Sequence, residues 1–220
     1  MTVLLAALAT VLVYAWRDRA ARVERTRFER TLNVAVVIVE AAPVAANALT
    51  ALRGRTRALE DRLASEFHRY RPDGPRPFGL VVFGPVSQVL PPPSHLEPSA
   101  LGLAKRAWEL LRFTRDVDAR AHVPTRGFDT RLYMVVRPPA NASRAFVEGA
   151  SEQGGRVGIA LVELDDTMAD FALFVGAHEL FHTLGATDKV RHRRPYALSR
   201  RARGTRPRAP VAAAVRRFDG

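Results

Sequence analysis

The chain contains no cysteine. Disulfides and thiolate-bound metal are therefore excluded, and any metal centre has to be built from histidine and carboxylate. Lysine is almost absent: of 34 basic residues only Lys105 and Lys189 are lysine, and arginine supplies the rest. Methionine occurs three times, at Met1, Met134 and Met168. Acidic residues are too few to balance the arginines, leaving a net charge of +12.

That charge is unevenly placed. Residues 190–220 hold ten arginines and a single acid, Asp219, and so account for +9 of the +12. The rest of the chain is nearly balanced. It has no basic stripe interleaved with aromatics and no zinc-finger spacing, so no nucleic-acid partner is expected. At 220 residues and 47% apolar content, the chain suits one domain with a sizeable core.

Residues 1–16, MTVLLAALATVLVYAW, are apolar and uncharged, somewhat short of the about 20 residues of a spanning helix. Arginines 17, 19, 22, 25, 27 and 30 follow, and Tyr14 and Trp16 stand at the boundary. A signal peptide would carry its basic residues first. The order here predicts a single-pass membrane anchor over residues 1–17, with secretion as the outcome if the segment is cleaved. Residues 18–32 read as a basic linker, 33–189 as the folded domain, and 190–220 as an Arg/Pro-rich tail without apolar periodicity.

Within the domain, the β-branched run Val34 to Val39 predicts a strand buried on both faces. Leu49, Leu52, Leu59, Leu63, Phe67 and Tyr70 recur at helical spacing, ended by Pro72 and Gly74. Phe78 to Phe83 reads as a second strand. Leu101, Trp108, Leu111 and Phe113 predict a helix ending near Asp118. Leu132 to Val136 and Val157 to Leu164 are further strands, and Asp165 or Asp166 caps a last helix. The apolar face of that helix is expected from Met168, Phe171, Phe174, Val175, Phe181 and Leu184. His68, His95, His122 and His192 lack ligand spacing and read as surface or capping residues. Asn141-Ala142-Ser143 is formally a glycosylation sequon.

The last helix carries the chemistry. Residues 178–188 read HELFHTLGATD. One helical turn separates His178 from His182, so two imidazoles can converge on one zinc ion. Glu179 is placed beside them to act as a base toward the attacking water. Gly185 can stop the helix in a left-handed conformation, and Asp188 can return as a third ligand, leaving a fourth position open. The competing reading is a core-facing helix whose histidines bond backbone carbonyls.

The pattern HExxHxxGxxD resembles the active-site signature of the metzincin metalloproteases, in the snapalysin-type variant with aspartate as third ligand. The resemblance implies a zincin-like α+β fold, a mixed sheet with a buried active-site helix. It also implies a zinc-dependent metallopeptidase acting on peptide or protein substrates, with Glu179 catalytic and His178, His182 and Asp188 on Zn2+. In zincin-like folds an edge strand beside the cleft pairs with the substrate backbone, and Gly158 to Val162 is the expected one. The glutamate-ligand route of gluzincins is closed, since no glutamate follows Glu179.

One part of the resemblance fails. Metzincins have a methionine turn downstream of the third ligand, and every methionine here lies upstream. The sequence after Lys189 reads as a truncated or frameshifted end. The alternative to a protease is accordingly an inactive or zinc-binding interaction domain.

Overall fold

A computed structural model of the chain describes residues 2–93, 99–140, 147–151 and 155–187. Nine elements follow in order: α1 (Thr2–Arg27), β1 (Leu32–Glu40), α2 (Ala46–Tyr70), β2 (Phe78–Ser87), α3 (Ala100–Arg120), β3 (Thr130–Arg137), β4 (Val147–Ser151), β5 (Val157–Glu163) and α4 (Ala169–Thr183). The strands form one sheet in the order β2-β1-β3-β5-β4. Four are parallel, and β4 alone runs antiparallel, at the edge beside β5. The fold is mixed α/β. All these elements belong to one compact unit ending at Thr187.

Alternation along the central strands builds two cores. Val34, Val36 and Ile38 of β1 join Leu132 and Met134 of β3 beneath α2 and α4, which supply Leu52, Leu173 and Leu180. Ala35, Val37 and Val39 face the other way, with Tyr133, Val135 and Ile159, against Phe113 and Val117 of α3. A parallel strand covered by helices on both sides has no wet face, which is why β1 is an unbroken β-branched run. Each valine or isoleucine so buried contributes roughly 1.5–3 kcal/mol by leaving water. Tyr133 is fully buried, and its hydroxyl donates to Asp118 Oδ1 at 2.7 Å, tying α3 to the sheet.

Four expectations are corrected. Gly158–Val162 lies in β5, which is paired on both sides, by β3 and β4. The edge is β4, a short strand hidden in the sequence by its glutamate and glycine. Second, Phe171, Phe174 and Phe181 are exposed on α4. Its buried face is made instead of Ala169, Ala172, Leu173, Val175, Gly176, Ala177 and Leu180. Small residues let the helix axis come down close to the sheet: a Cβ on Gly176 would stand 3.1 Å from Leu132 Cδ2.

Third, the membrane-spanning segment is not found. Among the described residues no helix is long and apolar enough to cross a membrane. A helix does form, but α1 continues through Arg17, Asp18 and Arg19 to Arg27, and sixteen apolar residues rise only about 24 Å against a hydrocarbon core of about 30 Å.

Finally, the basic linker is partly structural. Arg25 is only 3% exposed and donates through Nη2 to the Gly155 carbonyl at 2.9 Å. Arg30 makes a bidentate pair with Asp129 at 2.7 and 2.8 Å. Phe28 stacks against Phe67 and Phe78. The sequon Asn141-Ala142-Ser143, His95, His192 and residues 190–220 lie outside the described residues.

Candidate metal centre

The helix that carries the motif is started and stopped by identifiable groups. Asp165 Oδ1 accepts from the backbone N–H of Thr167 at 2.8 Å and of Met168 at 2.9 Å, and from the Thr167 hydroxyl at 2.7 Å. Those hydrogen bonds hold its carboxyl below the usual carboxylate range, the Thr167 hydroxyl having the largest effect. Neither aspartate caps α4 itself, whose N-cap is Met168 without a side-chain cap bond; Asp165 orders the turn that leads into it. Asp166 instead accepts from Asn47 of α2 at 3.4 Å.

At the other end Gly185 has φ of +94°. Its N–H bonds the His182 carbonyl at 2.9 Å, and the Ala186 N–H bonds the Phe181 carbonyl at 3.0 Å. This pair of bonds is a Schellman motif, with glycine at the left-handed position as its sequence placement predicts.

The turn has a consequence for the site. It folds the Ala186 carbonyl back over the last helical turn, where His182 Nδ1 donates to it at 2.8 Å. A carbonyl can only accept, so Nδ1 carries the proton and Nε2 of the neutral ring is left with its lone pair. That lone pair faces His178 Nε2 at 3.0 Å. The ring centroids are 4.5 Å apart and the planes nearly perpendicular. Glu179 offers a carboxylate oxygen to the same point: ligand atoms of His178, Glu179 and His182 all lie within 4.8 Å of one another.

This donor set fits a metal ion. Two imidazole nitrogens bound tetrahedrally at 2.0–2.1 Å stand about 3.3 Å apart, so opening the 3.0 Å pair by a few tenths of an ångström admits the ion. The hydrogen that His178 holds at Nε2 would then sit on Nδ1, its other tautomer, leaving an Nε2 lone pair on each neutral ring for the ion. Glu179 is 5% exposed. An acid that buried is costly without a cation or a proton nearby. The third expected ligand, Asp188, lies outside the described residues.

The core-facing alternative is half realised. His182 does bond a backbone carbonyl, but through the nitrogen that faces away from His178, and His178 is exposed rather than core. His68 bonds the Gly74 carbonyl at 3.0 Å, in the turn that follows α2.

Comparison of the chain with protein-family models, curated proteins and solved structures finds no match. The chemistry rests on the residues themselves.

Beside the cluster, α2 and α4 enclose a groove of about 310 Å³. Leu59 and Leu63 of α2 and Leu173, Phe174 and Ala177 of α4 form its walls, and His178 borders it. Arg55 of α2 and Asp170 of α4 pair across it. Sequence reasoning missed this groove because its walls come from helices more than one hundred residues apart. The Ala186 carbonyl was missed too, although Gly185 is the signal that puts residue 186 there.

Proposed function

We propose that the chain is a zinc-dependent metallopeptidase, with His178, His182 and Asp188 holding the ion and Glu179 as the catalytic base. The observation that carries this reading is the convergence of two imidazole nitrogens and the Glu179 carboxylate within one helical turn. Zinc, when bound, supplies Lewis-acid polarisation and a more acidic water at neutral pH.

The chain's own residues do the rest. His182 is pinned by Ala186 so that Nε2 is committed to the ion. Glu179 takes the proton of the attacking water and returns it to the leaving amine. The apolar groove bordered by His178 gives a substrate side chain a dry place next to the cleaved bond. The edge strand β4, with one side unpaired among the described residues, offers its backbone to an extended peptide.

A second reading is metal binding without hydrolysis. It is favoured by residues 189–220, which hold no methionine where metzincins place one beneath zinc. Metal analysis of the purified full chain with peptide-library cleavage decides between them. Hydrolase function predicts that Glu179→Ala keeps stoichiometric zinc and loses cleavage, whereas His182→Ala loses both. Zinc at full occupancy with no cleavage of any library member selects the second reading. Cleavage that survives Glu179→Ala would falsify the assignment of the base.

A further inference from the structure

The outward face of α3 is a second surface that the metal centre does not use. Phe113 and Val117 turn into the sheet and are fully buried. On the opposite side Leu101, Ala104, Trp108 and Leu111 follow at three- and four-residue spacing, and all four are exposed. Ala107 widens this strip, whereas Leu103, exposed as well, lies two residues from Leu101 and so on another side of the helix. Leu101 is 81% and Trp108 60% exposed, so these are not core side chains showing at a rim. An amphipathic helix on a sheet should be polar here.

Cations flank the strip. Lys105 and Arg112 are exposed along one side of it, and Arg115, four residues past Leu111, continues its line at the C-terminal end. Among the described residues only Lys105 of the three has an ion-pair partner, Glu109 at 3.9 Å. Asp116 and Asp118, on the sheet side, are taken by Arg120 and Arg131. The face is therefore apolar at its centre, cationic along its flank and short of free acid.

We propose that α3 docks the domain onto an anionic lipid surface. The helix lies in the plane of the interface, with Leu101, Trp108 and Leu111 among the headgroups and upper acyl chains. Lys105, Arg112 and Arg115 reach back to the lipid phosphates. A single convex helix offers no groove for a partner's side chains, but a fluid surface conforms to it. Tryptophan is the residue that prefers this depth. The cations select negative lipid over neutral lipid. The proposal is independent of the metal centre and of any spanning segment.

The test uses the full chain with Trp16→Phe, which leaves Trp108 as the only tryptophan. Vesicles of phosphatidylcholine mixed with phosphatidylserine, their acyl chains brominated, are compared with phosphatidylcholine alone. On the mixed vesicles Trp108 emission should move to shorter wavelength and be quenched by bromine; on the neutral ones it should do neither. Each of Lys105→Gln, Arg112→Gln and Arg115→Gln should lower the partition coefficient read through Trp108 by roughly five-fold. Leu101→Ser with Leu111→Ser should abolish the shift while circular dichroism stays unchanged.

Vesicles that co-sediment with the protein while Trp108 stays open to aqueous acrylamide would overturn the proposal, because binding would then run through other segments. An equal shift on neutral vesicles would overturn it too. So would a shift that grows with protein concentration in the absence of lipid, which would assign the strip to self-association.

Discussion

His182 Nδ1 donates to the carbonyl of Ala186 across a distance of 2.8 Å, and this bond decides which nitrogen of His182 is free to bind a cation. The bond exists because Gly185 turns the chain back at φ of +94°. A backbone conformation three residues after His182 thus sets the chemistry of that side chain.

Replacing that glycine should show the linkage. Among the described residues, chain neighbours aside, no heavy atom lies within 4 Å of a Cβ built on Gly185, so Gly185→Val adds backbone strain, about 1–2 kcal/mol. The strain displaces Ala186 and releases the ring. Metal affinity, measured by competition with a chromogenic chelator, should fall roughly 10–100-fold. An affinity equal to wild type would sever the turn from the site.

The close approach of α4 to the sheet gives a second prediction. A Cβ at Gly176 would come within 3.1 Å of Leu132 Cδ2 and 3.5 Å of Met134 Sδ. Gly176→Val over-packs this contact and should destabilise the fold by about 1–3 kcal/mol in urea unfolding. Unchanged stability would mean that α4 has slack against β3.

Acid should weaken the pairing of Arg30 with Asp129. The Arg30 hydrogen bonds, and then the Asn33 N–H at 2.9 Å, hold the Asp129 carboxyl below its ordinary range despite partial burial. A carboxyl with a lowered folded pKa adds stability that is complete above its unfolded value of about 3.9 and is lost as pH falls through the folded value. Asp129→Asn should therefore cost most near neutral pH, and the cost should shrink below about pH 4. A pH-independent difference would exclude this account.

The opposite sign is expected at Asp118. Desolvation raises its carboxyl above the ordinary range, against the Tyr133 hydroxyl bond and the Arg131 charge, which lower it. Burial first, then Asp118, pushes the Tyr133 hydroxyl up as well. Ionised Asp118 thus opposes folding: its relative stabilisation is complete below about pH 3.9 and declines as pH rises through the raised folded value. Stability of Asp118→Asn relative to wild type should increase over that rise, whereas for Asp129→Asn it should decrease. Parallel trends for the two variants would refute the assignment.

Strands β1, β2, β3 and β5 were legible because parallel strands covered on both sides must be continuously apolar, as in Val34 to Val39 and Leu132 to Val136. The helices over 46–70 and 100–120 were legible as elements but not as surfaces. Leu101, Trp108 and Leu111 signal α3 by their spacing, yet the side that packs is marked by Phe113 and Val117. On α4 the large phenylalanines suggested the core and the alanines hold it. Periodicity gives the face of a helix only when one face alone is apolar, and on α3 and α4 both are. Strand β4 was hidden because five residues at an edge need little apolar character.

From the sequence alone came the cysteine-free donor set, the one-turn spacing of His178 and His182, and the stop at Gly185. Those depend on local geometry, where residue type and separation are enough. Tertiary structure decided that β4 is the edge, that α2 closes a groove against His178, and that Trp108 faces outward. Those depend on which distant segments meet, and the burial that drives such meetings is non-directional, so it leaves no fixed spacing in the chain.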